Sequence, residues 1–364
     1  VLAVEKRQDI GSPKRCGEGL SAAAIERMGI EIPDSLKTRA INGATIYTPN
    51  GNSVNVDFNG PAGWVIERKM LDKYLAKLAA KAGAKIIVKT NVYDVKKGDN
   101  CMIVKMKHRG ETFEIKAKVL VACDGVESRI ARMVGINTTL KLEDICSCAQ
   151  FEMTGIEIDS RMLELYIGNE IAPGGYIWIF PKGPDSANVG IGIRKPFAKK
   201  SALTYLEKFI KTNEKLKNGS IIEANAGGVP VGGFLETMVD DNFIIAGDAA
   251  RQVNPIHGGG ISEGFVSGML VAKIIAKAKE KNDFSKKVLS EYDKKWNDGR
   301  GKKLKKVLKL RHLEERLTDQ EMNWLSEYIK GEEIINLAKA SGFKKLAFLL
   351  MKKPRLIGIA RKLM

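Results

Sequence analysis

The stretch from Asn242 to Ala278, "NFIIAGDAARQVNPIHGGGISEGFVSGMLVAKIIAKA", reads as an apolar strand, a glycine-rich loop and a long amphipathic helix. The strand delivers Gly247 and Asp248 to the loop, and three consecutive glycines ending at Gly260 open the helix. A helix N-terminus offers free N–H groups and the positive end of the helix dipole, which stabilise an anion or an electron-rich ring edge. The pattern therefore indicates a ligand site at this crossing, although a glycine hinge without a ligand would have the same composition.

Two segments nearer the N-terminus also read as strands that end in an acid. "KVLVACDGVESRIAR" (118–132) ends its apolar run at Asp124, and the glycine that follows lets the backbone approach a ligand closely. "VLAVEKR" (1–7) reads as a buried parallel strand ending in Glu5, where a dinucleotide-binding βαβ unit places an acid for ribose hydroxyls. Glu5 alone would fit an ordinary solvated strand end equally well. Together the segments predict an α/β fold with a Rossmann-like domain.

The glycine-rich turn of such a domain, G-x-G-x-x-G, does not occur in the 364 residues. In a dinucleotide-binding unit that turn precedes the ribose acid by about 20 residues. We therefore expect the first βα unit, with its glycine loop, to be missing from the sequence. Either about 30 residues of a natural N-terminus are absent, or the gene start is misassigned.

A helical pattern in "VIERKMLDKYL" (65–75) places Arg68 and Asp72 one turn apart. A cation at this position could face the phosphate or ribityl chain of a cofactor. The alternative is an ordinary surface ion pair between positions i and i+4.

Length and charge limit the classes of function. A chain of 364 residues exceeds the size of one hydrophobic core, so we expect interleaved domains or a domain with an appendage. The formal charge of +17 fits nucleic acid, an anionic membrane or a phosphorylated substrate. We set nucleic acid aside because the sequence has no zinc, helix-turn-helix or RNP-type motif. Five cysteines, without a signal peptide or an apolar run of spanning length, predict free thiols in the cytoplasm.

The stretch "GGYIWIFPKG" (174–183) alternates as a strand does, which puts Tyr176, Trp178 and Phe180 on one face. Such a row of rings is either plain core packing or the apolar wall of a substrate pocket.

The cysteines fall into two groups. In "KRCGEG" (14–19), Cys16 follows Lys14 and Arg15 and precedes glycines. It is therefore either a small buried apolar residue or a thiol that these two cations, lying beside it, help to donate a proton to a ligand. Cys146 and Cys148 form a lone C-x-C without further ligands at metal spacing, so we interpret them as structural and predict no metal site.

Taken in order, "GSPKRCGEGLS" (11–21), "GGYIWIFPKG" and "GDAARQVNPIHGGGIS" (247–262) resemble the geranylgeranyl reductase family, within the class of FAD flavoproteins that resemble para-hydroxybenzoate hydroxylase. The resemblance is greatest to the archaeal members that act on digeranylgeranylglycerophospholipids, and it spans nearly the whole chain. It implies an FAD-binding domain (1–30, 65–135 and 238–280), an interleaved β-rich substrate domain (31–64 and 136–237) and a helical C-terminal region (281–364).

The resemblance also implies roles for individual residues. Glu5 would hold the adenosine ribose, Arg68 the neighbouring cofactor backbone, Val92 the region of the adenine, and Asp248 the ribityl chain. The remaining cofactor-binding positions are Cys16, Gly17, Gly19, Asp124, Gly260 and Ile261, the last two through N–H groups aimed at the flavin pyrimidine. Cys16 is the predicted catalytic residue, and Tyr176, Trp178 and Phe180 are the predicted substrate-binding residues.

The implied function is FAD-dependent saturation of geranylgeranyl chains on a glycerophospholipid. Two alternatives stay open: a flavin monooxygenase or halogenase of the same fold, and a non-enzymatic prenyl-lipid binder. The electron donor is open among NAD(P)H, ferredoxin and a deazaflavin. The basic amphipathic helices in "FKKLAFLLMKKPRLIGIARKLM" (343–364) favour a peripheral position at the inner membrane surface over a merely solvated face.

Overall fold

The computed structural model describes residues 1–338 and 341–358. The strands are β1 (Leu2–Val4), β2 (Gly19–Ser21), β3 (Lys37–Ile41), β4 (Gly43–Tyr47), β5 (Ser53–Asp57), β6 (Gly63–Ile66), β7 (Lys85–Ile87), β8 (Thr90–Gly98), β9 (Cys101–His108), β10 (Glu111–Ala117), β11 (Leu120–Ala122), β12 (Ile145–Thr154), β13 (Met162–Ile167), β14 (Tyr176–Pro181), β15 (Ser186–Arg194), β16 (Ser220–Pro230), β17 (Val239–Asp240) and β18 (Phe243–Ile245). The α-helices are α1 (Ala22–Met28), α2 (Arg68–Lys81), α3 (Arg129–Met133), α4 (Ala202–Thr212), α5 (Ile261–Glu280), α6 (Lys286–Leu289), α7 (Glu291–Trp296), α8 (Lys302–Glu314), α9 (Asp319–Ser326), α10 (Gly331–Ala338) and α11 (Phe343–Met351).

The largest element is a seven-stranded sheet in the order β16-β12-β15-β14-β13-β4-β5. All neighbours in it are antiparallel except β13 and β4. Its outer face packs against α4, where Ile177, Ile179, Val189, Ile191 and Leu206 form a core. Because side chains alternate along a strand, the residues between these core positions point to the opposite, inner face.

Two pairs of parallel strands carry the predicted Rossmann-like segments. β1 pairs with β7, and β11 pairs with β18. Burial of β1 was predicted wrongly: Leu2 is 36% exposed, because β7 is its only paired neighbour within residues 1–338 and 341–358. The core behind β18 is complete, and it packs Phe243 against Ile274 of α5 and against Trp296.

A small sheet of β2, β6 and β3 supports α1 and α2. Ser21 caps α1 by accepting a hydrogen bond from the Ala24 N–H group. Leu20, Ile66 and Leu71 form the shared core of this unit. It therefore fixes both ends of the loop from Gly11 to Glu18 and the start of α2.

The C-terminal helices have a separate core, built from Leu310, Leu325, Leu346 and Leu350. Ile167 of β13 packs against it, so these helices cover part of the inner face of the seven-stranded sheet. None of the described helices is both long enough and apolar enough to cross a bilayer.

Candidate active site

The inner face of the seven-stranded sheet divides into an apolar half and a polar half. One row across it, read through the paired positions, runs Ile46, Leu165, Trp178, Gly190 and Gln150. Its apolar members lie on β4, β13 and β14, whereas β15 contributes only a glycine and β12 an amide. Ile46 and Leu165 are only partly buried, so the apolar half has surface available for a ligand.

The predicted aromatic row is confirmed as a geometric feature. Tyr176, Trp178 and Phe180 follow one another along the inner face of β14, with ring centroids 5.8 Å and 6.4 Å apart. The Trp178 indole lies over Gly190, where an added Cβ would come within 2.3 Å of the ring. The indole Nε1 donates a hydrogen bond of 2.9 Å to Gln150 Oε1. Trp178 thus spans the border between the two halves.

The loop that carries Cys16 is bound directly to this sheet. Gln150 Nε2 donates to the Cys16 carbonyl at 3.0 Å, and Asn188 Nδ2 donates to the Gly17 carbonyl at 3.2 Å. The Phe180 ring lies against Gly17 and Gly19, where added Cβ atoms would meet it at 3.2 Å and 3.1 Å. The two glycines therefore permit a close approach of aromatic rings, and their role toward a cofactor stays a prediction.

A buried network of charges holds the same loop. Glu18 is completely buried. Its carboxylate accepts a hydrogen bond of 2.8 Å from the backbone N–H group of Arg68 and one of 2.8 Å from Asn188 Nδ2. Lys14 lies 3.3 Å and Lys182 3.0 Å from the same carboxylate, and both lysines also contact Glu152.

The pKa values in this network follow from the pairing. Burial alone would lower the pKa of Lys182, but Glu18 and Glu67 outweigh it and raise that pKa above the usual range. Burial would raise the pKa of Glu152, yet Lys14 and Lys182 together lower it. The directions of these two shifts favour the charged forms of Lys182 and Glu152.

The expectation that Lys14 lies beside the Cys16 thiol was wrong, because the Lys14 ammonium is held by Glu18 and Glu152. The cation next to the thiol is Arg68. Burial acts to lower the pKa of the Arg68 guanidinium, but the neighbouring Cys16 and Asp72 raise it. Arg68 Nε also donates to Asp72 at 2.8 Å, which is the ion pair between positions i and i+4 given above as the alternative, and a role of Arg68 toward a cofactor stays a prediction.

The sulfur of Cys16 has a second donor. The Glu18 N–H group, in a left-handed backbone conformation at φ 71°, points at Sγ from 3.2 Å. A guanidinium and a backbone N–H group directed at sulfur stabilise negative charge on it. The thiol is half-buried, and its role as a proton donor stays a prediction.

Asp248, which follows β18, lies near Arg68 and so adjoins the Cys16 loop. Burial raises the pKa of Asp248, and the nearby Arg68 acts in the opposite direction. An added Cβ at Gly260 would lie 2.9 Å from Asp248 Oδ1, so the carboxylate sits at the opening of α5. The first turn of α5 contains Glu263, whose charge is neutralised by an ion pair with Arg300. The helix N-terminus therefore keeps its capacity to stabilise negative charge.

Of the remaining predicted cofactor residues, Glu5 and Asp124 follow strand ends and Val92 lies within β8, and no hydrogen bond or ion pair joins them to Cys16 within the described residues. Glu5 Oε1 accepts a hydrogen bond from the Arg7 N–H group at 2.8 Å. Asp124 Oδ2 accepts one from Ile130 at 3.0 Å, while its Oδ1 is buried without a partner. Val92 is half-buried on β8, beside a bulge.

These observations fit FAD. A buried carboxylate oxygen without a donor at Asp124 suits a ligand that carries N–H or hydroxyl groups. A cavity of about 460 Å³ adjoins the same turn and is lined by Val126, Glu127, Arg132, Thr138, Thr139, Leu140, Ile145 and Gly228. Asp248 follows β18, the parallel neighbour of the strand that precedes Asp124. Together with Gly260 and Arg68 it offers an acceptor, a helix N-terminus and a cation.

Sequence reasoning missed Gln150, Glu152, Asn188 and Lys182. The signal was present in "CSCAQFEM" (146–153), where polar and apolar residues alternate. That period of two puts Gln150 and Glu152 on the face of Cys146 and Cys148, opposite the core-facing Ala149 and Phe151.

Solved structures with little sequence similarity share the fold. A flavin-dependent brominase superposes with a TM-score of 0.72 at 19% identity, covering 96% of this chain and 91% of that one. A p-nitrophenol 4-monooxygenase from Pseudomonas putida gives 0.71 at 16% identity, covering 94% and 92%. The fold is thus that of the flavin-dependent halogenases and monooxygenases.

Closer relatives define the family. Residues 144–229 match the model of the geranylgeranyl reductase catalytic domain. A digeranylgeranylglycerophospholipid reductase of Methanocaldococcus jannaschii is 40% identical, over 98% of this chain and 90% of that protein. A geranylgeranyl bacteriochlorophyll reductase-like protein from Thermoplasma acidophilum superposes with a TM-score of 0.90 at 33% identity, covering 100% of this chain and 92% of that one. The chain belongs to the geranylgeranyl reductase family.

Proposed function

We propose that this oxidoreductase uses FAD to saturate the double bonds of geranylgeranyl chains on a glycerophospholipid, in the biosynthesis of membrane ether lipids. The observation that carries the proposal is the inner face of the seven-stranded sheet, where an apolar half lies next to a bound cysteine loop. The names of the relatives support the same substrate.

In this proposal the chain divides the work between its residues. Asp248 would hold the ribityl chain, and the N–H groups of Gly260 and Ile261 would face the flavin pyrimidine. Glu5 would hold the adenosine ribose, Arg68 the neighbouring cofactor backbone and Val92 the region of the adenine, while Asp124 would also contact the cofactor. The bound flavin supplies a hydride to one carbon of a double bond. Cys16 would deliver a proton from its thiol to the other carbon, and the resulting thiolate would take a new proton from solvent.

Tyr176, Trp178 and Phe180 orient the chain and keep water away from the reacting carbons. An isolated double bond is a poor acceptor, so close and dry positioning is essential. Each buried CH₂ group contributes about 0.8 kcal/mol, so even part of an isoprenoid chain binds well in the apolar half.

We also propose the division into an FAD-binding part (1–30, 65–135 and 238–280), a substrate part (31–64 and 136–237) and a helical C-terminal part (281–364), of which 339, 340 and 359–364 lie outside the described residues. The sheet memberships support this division. Strands β4 and β5 belong to the seven-stranded sheet together with β12, β13, β14, β15 and β16, whereas β1, β7, β11 and β18 do not. The C-terminal part would rest on the inner membrane surface. The electron donor of the enzyme is a reductant of unidentified class.

Anaerobic incubation with dithionite, FAD and an unsaturated diether phospholipid tests the function. Mass spectrometry should show the lipid gaining 2 Da for each double bond reduced. An oxygen-dependent product would favour a monooxygenase, a chlorinated or brominated product formed with oxygen and halide would favour a halogenase, and lipid binding without any turnover would favour a carrier.

A further inference from the structure

The outer surface of the C-terminal helices carries a cluster of aromatic rings and lysines. We call it the aromatic–basic patch and define it by Trp324, Tyr328, Phe348, Lys352 and Lys353. The Phe348 side chain is 62% exposed and Tyr328 is 46% exposed. Rings of this size are usually buried in a soluble domain, so their exposure together on one surface needs an explanation.

The pattern of α11 fixes this exposure. Leu346, Ala347, Leu349 and Leu350 are buried in the core of the C-terminal helices. Phe348 lies between them in sequence and therefore points outward. Core packing, the usual role of an aromatic side chain, thus does not account for Phe348.

Lysines surround the rings. Lys352 Nζ lies 5.7 Å from the Tyr328 ring centroid and 5.9 Å from that of Phe348, and Lys353 Nζ lies 4.7 Å from that of Trp324. Among the residues that the structure describes, neither lysine has a carboxylate within ion-pair distance. Their charges are therefore available to an anionic partner.

We propose that the aromatic–basic patch docks the protein on an anionic lipid bilayer; this rests on the proposed function, since it identifies the surface through which a membrane lipid is reached. Aromatic rings prefer the boundary between headgroups and acyl chains, while lysines extend their charges toward lipid phosphates. Each basic residue near an anionic surface strengthens binding, and salt screens it.

The position of the patch in the fold agrees with this partner. The helices that display it also pack on Ile167, which follows Leu165 on the inner face of β13. One helical unit thus contacts the bilayer on its outside and covers the apolar half of the sheet on its inside.

Flotation with vesicles tests the patch. The protein should float with phosphatidylglycerol vesicles, bind at least tenfold more weakly to phosphatidylcholine vesicles, and be released by 0.5 M salt, as expected for screened charges. The double variant Phe348→Ser/Tyr328→Ser and the variant Lys352→Glu/Lys353→Glu should each lose at least tenfold in binding to the anionic vesicles. Circular dichroism and thermal unfolding of each variant confirm that it is folded.

Matched controls lie elsewhere on the surface. Ile222→Ser removes an apolar residue that is 59% exposed, and Lys107→Glu removes an exposed cation on β9. Both should float as the unaltered protein does. Equal flotation of patch variants and controls would overturn the proposal. So would binding of the patch to an acidic protein with none to vesicles.

Turnover of a detergent-dispersed lipid separates this proposal from the function. Patch variants should retain that turnover, because the detergent replaces the bilayer. If no form of the protein reduces the dispersed lipid, the proposed function fails, whereas flotation still decides the docking surface.

Discussion

At the scale of single residues, Cys16 carries the clearest chemical expectation. Its sulfur faces the Arg68 guanidinium and the Glu18 N–H group. Replacing it by serine keeps the shape but gives a far weaker acid, so Cys16→Ser should slow reoxidation of the reduced flavin by lipid on the order of 10²-fold. Reduction of the flavin should be unchanged. Anaerobic stopped-flow absorbance measures both steps, and reoxidation at the unaltered rate would exclude the thiol as proton donor.

Gln150 should act through Cys16, since it holds the Cys16 carbonyl and the Trp178 indole at once. Gln150→Leu removes both hydrogen bonds, whereas Gln150→Glu keeps an acceptor for the indole and loses the donor to the carbonyl. Both variants should slow lipid-dependent reoxidation by about tenfold or more, because small displacements of a proton donor are costly.

A double-mutant cycle distinguishes positioning from general loosening. In the Cys16→Ser background, Gln150→Leu should have little further effect on the rate, since the group that it positions is already gone. Equal slowing in both backgrounds would mean that Gln150 only supports the fold.

At the scale of elements, β14 and β15 form one unit, in which Gly190 of β15 leaves space for the Trp178 indole of β14. Trp178→Ala should weaken or misplace the isoprenoid while FAD stays bound, at a stability cost of about 3–5 kcal/mol. Gly190→Ala should have the same effect on turnover, because its methyl group would land 2.3 Å from the indole and displace it. Product distribution by mass spectrometry and flavin absorbance check the two statements. Unchanged rate and products in Trp178→Ala would return the ring to simple core packing.

The end of β18 and the start of α5 form the second unit, and Asp248 lies between them. Asp248→Ala should release FAD, because it removes the carboxylate that lies against Gly260 at the start of α5. The ratio of flavin to protein absorbance after purification measures this. Asp185→Ala, at an exposed position in the turn before β15, is the matched control and should keep its flavin. Full flavin content in Asp248→Ala would remove this residue from the cofactor site.

At the scale of the whole molecule, Arg194 of β15 pairs with Glu315 of α8, and the neighbouring Glu314 feels the same arginine. Burial, together with Glu315, raises its pKa to about 7 from an ordinary 4.5, although Arg194 and Arg311 act in the opposite direction. The folded protein thus holds a proton that the unfolded chain releases. The resulting stability is present below about pH 4.5 and is lost as the pH rises through 7, at about 1.4 kcal/mol for each unit between the two pKa values.

Glu314→Gln keeps the shape and cannot ionise. Thermal unfolding between pH 4.5 and 8 should therefore show the unaltered protein losing stability relative to this variant as the pH rises. Parallel pH profiles of the two proteins would contradict the raised pKa.

The sequence predicted those parts of the fold that depend on short-range pattern. The strand of Tyr176, Trp178 and Phe180 and the pairing of Arg68 with Asp72 follow from periods of two and four residues, which are local properties. The charge network was missed because its members are far apart in the sequence, as Lys14 and Glu152 are. Lys14, two residues before Cys16, was assumed to lie beside its thiol, but the lysine ammonium instead pairs with Glu152 of β12.

The division of the inner face has a consequence for the order of events. Under the proposed function, a twenty-carbon chain presents several double bonds to one fixed proton donor, and only the apolar half of the sheet accepts the chain. The lipid chain must then slide stepwise along the apolar half, because the polar half of the inner face does not accept it. Samples taken early in the reaction should contain partly saturated lipids in which the remaining double bonds are consecutive and lie at one end of the chain.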